Sequence, residues 1–269
     1  MKLGVSNLAW TAAEEDAALA TLARFNVSGL EVAPTRIAPW AELNDETLGA
    51  FRARMADHGL TISSMQAITF GLNDLALFGD EASVDRLVEH MGVVAGIGAA
   101  LGAKVAVFGA PKIRDRGDLD DATADDLAVE RFHRIADAMA GSGVALGLEP
   151  VPPAYGNNFK TDPAAVHAFV KRVNRPEIVL HLDTGCAKLG DADIGAAVRE
   201  GAGDIRHFHI AEPHLAGFED PKSDHAAAAA ALQDVGYERW TVIEMLPGEA
   251  PLQRLETALT KVREIYPST

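Results

Sequence analysis

Glu149, Asp183, His209 and Glu244 each stand at the end of a short apolar run: VALGLE, IVLHLD, IRHFH and WTVIE. A carboxylate at the tip of a buried strand is costly unless something positive answers it, and no basic residue lies beside Glu149 in sequence. Two glutamates, one aspartate and one histidine form a ligand set for one hard or borderline divalent cation. Taken singly, each residue reads equally as a helix cap or a surface ion pair. Their recurrence at corresponding positions of four successive runs points to a shared metal.

Other residues carry polar or aromatic groups to comparable places. Glu31 and Gln66 follow two earlier runs and could hydrogen-bond substrate hydroxyls, with Trp10 and Phe70 as apolar walls; ordinary loop packing is the alternative. Lys112 and Arg114, in FGAPKIRDR, could receive a phosphate or carboxylate, or sit in a solvated loop paired with Asp115 and Asp118. Tyr155 could line or cap a pocket, and His225 could contact substrate at the start of a helix that Asp224 opens. His181 and His207 lie two residues before Asp183 and His209, where they would orient a ligand or pack as core histidines. Cys186 reads as a small pocket-edge residue, because no base adjoins it.

These residues need a scaffold that brings strand ends together. Eight strand-like runs are expected at Leu3–Val5, Leu30–Val32, Thr61–Met65, Val105–Phe108, Ala145–Leu148, Ile178–Leu182, Ile205–Ile210 and Thr241–Met245. Eight helical patterns alternate with them: Glu14–Phe25, Asp45–His58, Glu81–Leu101, Ala124–Ala140, Pro163–Val173, Ile194–Glu200, His225–Val235 and Ala250–Ile265. Strict alternation implies parallel βαβ units, and eight of them match an α/β fold, the (β/α)8 or TIM barrel, as a single domain over residues 1–269. A doubly wound open sheet fits less well, since no GxGxxG follows the first strand and the polar strand ends are not confined to one switch point.

The net charge of −15 disfavours nucleic acid and anionic membrane as partners, because both need a basic surface. A small-molecule substrate is compatible. One cysteine permits no internal disulfide, and Met1 leads straight into a strand pattern with no signal-peptide core, so a cytoplasmic location is expected.

The chain resembles the sugar phosphate isomerase/epimerase family of xylose isomerase-like barrels over essentially its whole length. The resemblance rests on GLEVAP at Gly29–Pro34, FGAPKIR at Phe108–Arg114, LEP with YGNNF within Leu148–Phe159, HLDTG at His181–Gly185, HFHIAEP at His207–Pro213 and VIEM at Val242–Met245. It implies kinship with ketose 3-epimerases, hydroxypyruvate isomerase and inosose dehydratase. It further implies that Glu149, Asp183, His209 and Glu244 bind Mn2+, or another divalent cation such as Mg2+ or Co2+. Glu149 and Glu244 would then flank a small sugar as an acid/base pair. Such a cation stabilises the enediolate formed when a proton leaves a carbon next to a carbonyl; inversion uses two carboxylates on opposite faces, and aldose–ketose exchange can use one.

A metal-dependent dehydratase of an inosose or dehydroshikimate-like substrate is the alternative enzyme, and a sugar-binding protein with a degenerate site is the non-enzyme one. Ketose 3-epimerases usually carry a further Glu after the fifth-strand Glu and a His after the sixth-strand Asp. Here Tyr155 and Cys186 occupy those neighbourhoods, a departure that counts against free-ketose 3-epimerisation. Similar proteins form dimers or tetramers, so a homo-oligomer is expected.

Overall fold

The computed structural model describes residues 1–266 and shows a closed barrel of eight parallel strands in the order β1 to β8. The strands are β1 Lys2–Ser6, β2 Gly29–Val32, β3 Thr61–Met65, β4 Val105–Phe108, β5 Ala145–Leu148, β6 Ile178–Asp183, β7 Ile205–Ala211 and β8 Trp240–Glu244. Pairing of Lys2 with Trp240 and Val5 with Ile243 closes the cylinder. Because β-pairing alternates side chains between the two faces of the wall, Asp183 and His209, which are register partners on β6 and β7, both point inward.

The helices are α1 Glu15–Arg24, α2 Asp45–Asp57, α3 Glu81–Leu101, α4 Asp121–Met139, α5 Pro163–Val173, α6 Thr184–Leu189, α7 Ile194–Gly201, α8 His225–Asp234 and α9 Pro251–Ile265. All eight expected strands and helices are present, with ends displaced by a few residues at most. Helix α6 was not expected. The Asp183 side chain accepts from the Cys186 N–H and caps it, so the turn after β6 coils at once instead of running on as loop.

Acidic N-caps recur where the chain re-enters a helix. Asp80, Asp120, Asp162 and Asp224 each accept from the backbone N–H three residues on. Each satisfies an orphan donor and places negative charge at the positive end of the dipole. Between barrel and helices, Phe108, Phe132, Phe169 and Phe159 form an edge-to-face series with centroids 6.3, 5.3 and 5.5 Å apart. Each such pair adds about 0.5–1.5 kcal/mol beyond burial and pins α4 and α5 against β4. At the opposite end of the strands, Trp240 fills the space that a side chain on Gly29 would need. No helix among the described residues is long and apolar enough to cross a membrane.

Candidate metal centre

The four expected ligands meet at the C-terminal rim of the barrel, where this architecture places its chemistry. Glu149, Asp183 and His209 offer ligand atoms that all lie within 4.8 Å of one another. His209 Nδ1 is 3.0 Å from Glu244 Oε2 and 3.6 Å from Asp183 Oδ2. Asp183 spends Oδ1 on the Cys186 N–H at 2.5 Å, which leaves Oδ2 free.

Both Asp183 Oδ2 and His209 Nδ1 are buried and have no hydrogen-bond partner. The approach of His209 Nδ1 to Glu244 is close, yet lacks hydrogen-bond geometry. Lone pairs converging in a buried site repel one another unless a proton or a cation lies among them. The residues therefore fit a divalent ion by the chemistry of their donors. Their electrostatics agree. Burial, followed by the nearby Asp183 and Glu244 charges, pushes the Glu149 carboxyl up to about 8. Burial also raises Glu244, with Asp183 and Glu31 adding to the effect against the lowering influence of His209. Burial works against a charged His209, but Glu31 and Glu244 outweigh it and lift the imidazole well above its ordinary value.

Glu31 lies beside the centre rather than in the cavity above it. It is fully buried, accepts from His209 Nε2 at 2.9 Å and from Ser64 Oγ at 2.7 Å. Placing the histidine proton on Nε2 leaves Nδ1 as the ligating nitrogen. Burial pushes Glu31 upward, but His209, His207 and Ser64 together hold its carboxyl below the usual range.

Arg114 also lies behind the site. Its fully buried guanidinium donates Nη1 to the Glu149 carbonyl at 2.9 Å, beneath the carboxylate instead of facing a substrate phosphate. Burial lowers its pKa to about 10, although Glu149 acts the other way. Gly109, just past β4, leaves the space that Glu149 Oε2 occupies; a Cβ there would collide with it. His181 and His207 pack under the ligands, Nδ1 to Nδ1 at 3.2 Å, with His181 Nε2 3.8 Å from Glu149 Oε1.

A cavity of about 500 Å³ opens above the ligands. Gln66, Tyr155 and Cys186 line it together with Glu149, Asp183, His209 and Glu244. Gln66 is held by Nε2 donating to Ser6 Oγ at 2.5 Å, and the Tyr155 hydroxyl accepts from the His214 N–H at 2.8 Å. Burial raises the Tyr155 phenol to about 12 and lifts the Cys186 thiol well above its usual value, so Cys186 stays a thiol.

The remaining candidates do not line this cavity. Trp10 is wholly buried in the core, whereas Phe70 is 68% exposed and Lys112 is exposed. His225 is locked in the interior: Nε2 bonds Glu212 Oε1 at 2.6 Å, Nδ1 meets the Tyr266 hydroxyl at 3.0 Å, and the ring stacks on Phe218. The helix start was expected to project His225 toward substrate, but a neighbouring carboxylate and an aromatic claim it first.

Glu212 was missed as a cavity residue. It lines the cavity and accepts from the Lys222 and Ser223 N–H groups as well as from His225, so it ties the loop after β7 to the barrel. Burial acts to raise its carboxyl, and these hydrogen bonds hold it below the ordinary range. Its signal was a carboxylate three residues past His209 in HIAEP. His214 and Leu215 were also missed; both line the cavity with left-handed backbone at φ 59° and 53°, as do Ala67 at 51° and Ala110 at 37°. Such strain at non-glycine residues clusters where loops are held for function, and no residue type announces it.

The profile described as xylose isomerase-like TIM barrel matches residues 19–264. The chain is 30% identical over 244 residues to an L-ribulose 3-epimerase of Mesorhizobium japonicum, covering 88% of this chain and 78% of that protein. It is 26% identical over 261 residues to a ketose 3-epimerase of Arthrobacter globiformis, covering 91% and 83%. Among solved structures, D-psicose 3-epimerase from Clostridium cellulolyticum H10 superposes with a TM-score of 0.82 at 18% identity, over 98% of this chain and 99% of that one. The extent of the profile match, nearly the whole barrel, makes this chain a member of the xylose isomerase-like TIM-barrel family.

Proposed function

We propose that the protein is a divalent-metal-dependent epimerase of a small ketose or related keto sugar, with Glu149 and Glu244 as its acid/base pair and Mn2+ as the ion of choice. The reading is carried by two buried, unpartnered ligand atoms, Asp183 Oδ2 and His209 Nδ1, clustered with Glu149 and with Glu244 beside His209. The sugar epimerases among its relatives support the reaction class.

A bound divalent ion would supply Lewis acidity for the negative charge that develops when a proton leaves the carbon beside a carbonyl. The chain's own residues do the rest. Glu149 follows β5 and Glu244 ends β8, and in this reading one takes a proton from one face of the carbon while the other returns a proton to the opposite face. Arg114 and Gly109 hold Glu149 in place, and Glu31 fixes the His209 tautomer. Gln66 and Tyr155 line the cavity where substrate hydroxyls would lie, and Glu212 anchors the loop after β7 beside them.

The test is exchange of the substrate α-proton with deuterated solvent, using Mn2+-loaded protein and a panel of ketoses. Glu149→Gln and Glu244→Gln should each lower turnover by about 10²–10⁴-fold. No exchange with any ketose would end the proposal, and an unsaturated product absorbing in the ultraviolet would move the protein to the dehydratases.

A further inference from the structure

The N-terminal end of the barrel holds a second cavity, of about 790 Å³, larger than the one above the metal ligands. Both sizes fall within the usual range of small-molecule sites, roughly 300–1,000 Å³. Part of its wall is apolar, made by Val105, Val179, Ile205 and Trp240 at the starts of β4, β6, β7 and β8, and Ser63 and His207 line it as well. Its rim carries Lys2, Lys104, Arg206 and Arg239, with Glu238 as the one lining carboxylate.

Four cations around one cleft run against the composition of a chain with net charge −15. Several basic residues elsewhere are answered: Arg134 reaches Glu81 and Asp85, and Arg175 reaches Asp137 and Glu177. Among the described residues, none of the four rim cations has a carboxylate within ion-pair distance. Lys2 lies 5.6 Å from the Trp240 ring centroid, a contact that leaves its charge uncompensated.

The segments that close α7 and α8, at Gly203 and at Val235–Gly236, also border the cleft. Their carbonyl ends contribute about half a negative charge each, which leaves the rim positive. Apolar wall residues beside an unneutralised cationic rim are complementary to an anion that carries an apolar body. Chemistry in this fold is confined to the other end of the strands, so the cleft is not a second catalytic centre.

We propose that this cavity binds a small organic anion with an apolar body, an aromatic sulfonate or carboxylate in class. The rings would lie on Val105, Val179 and Trp240, and the acid group would be held by Arg206 and Arg239 with Lys104. The site opens at the other end of the barrel from the metal ligands and does not rest on the epimerase reading.

Titration of the full chain with 8-anilinonaphthalene-1-sulfonate at low salt tests it, with stoichiometry from calorimetry and the fold checked by circular dichroism. The expected result is one saturable site per chain that high salt weakens, and that Arg206→Glu with Arg239→Glu weakens by about tenfold or more. Lys112→Glu, at the other end of the barrel, should leave it unchanged. If the double variant loses its fold, Lys104→Glu alone should weaken binding about threefold, since this exposed side chain supports no packing. Absence of saturable binding, indifference to these charge reversals, or displacement of the probe by Mn2+ overturns the proposal.

Discussion

Glu31, on β2, accepts a hydrogen bond from His209 Nε2, on β7, at 2.9 Å across the barrel interior. The contact decides which histidine nitrogen faces the other ligands. A glutamate expected to touch substrate is engaged by His209 instead.

Glu31→Ala should therefore weaken Mn2+ binding by about 10–100-fold with little change in secondary structure. Calorimetric titration measures it. An unaltered dissociation constant would show that His209 is oriented by packing alone.

Gly109→Ala drives a methyl group against Glu149 Oε2, closer than real Cβ contacts allow, and 3.4 Å from Val151 Cγ2. The carboxylate must move. Metal affinity should fall about tenfold and turnover with it, while the circular dichroism spectrum stays that of the parent. Parent-like affinity and activity in this variant would mean that Glu149 is not held where the site needs it.

The metal-free protein should lose stability as pH rises. Glu149 is raised from 4.5 to about 8, so the folded state keeps a proton that the unfolded chain has released. Its contribution is fully present below about pH 4.5 and is lost as pH climbs through about 8. The raised His209 works in the same direction from its ordinary 6.5 upward. A divalent ion displaces these protons, so the gain in Tm on adding Mn2+ should grow between roughly pH 5 and pH 8. Thermal melts with and without metal across that range check it, and a metal-induced gain that shrinks with pH would contradict the assignment.

His225→Ala should cost about 2 kcal/mol or more, because it strips a hydrogen bond from the buried Glu212 carboxylate and removes a ring packed on Phe218. The Tm should drop by several degrees with metal affinity retained. A large loss of substrate affinity without any loss of stability would restore His225 to the substrate site.

The architecture was legible in the sequence because period-two apolar runs and period-3.6 helical patterns are local properties, repeated eight times. Helix α6 is not legible in the sequence because Asp183 reads there as a strand-end ligand, whereas in the fold its Oδ1 also caps the helix through the Cys186 N–H. Side-chain direction was less accessible. Lys112 and Arg114 are two residues apart on one turn, yet one is exposed and the other wholly buried under Glu149.

From the sequence alone came the barrel and the four strand-end side chains proposed as ligands, because strand number and the alternation of inward and outward residues depend only on neighbours along the chain. Only the folded molecule decided that Glu31 serves His209, that Glu212 takes His225 away from the cavity, and that four cations gather at the far end. Those outcomes depend on which groups separated by tens or hundreds of residues come within hydrogen-bonding reach once the cylinder closes, and a carboxylate or imidazole engaged there is no longer available to substrate.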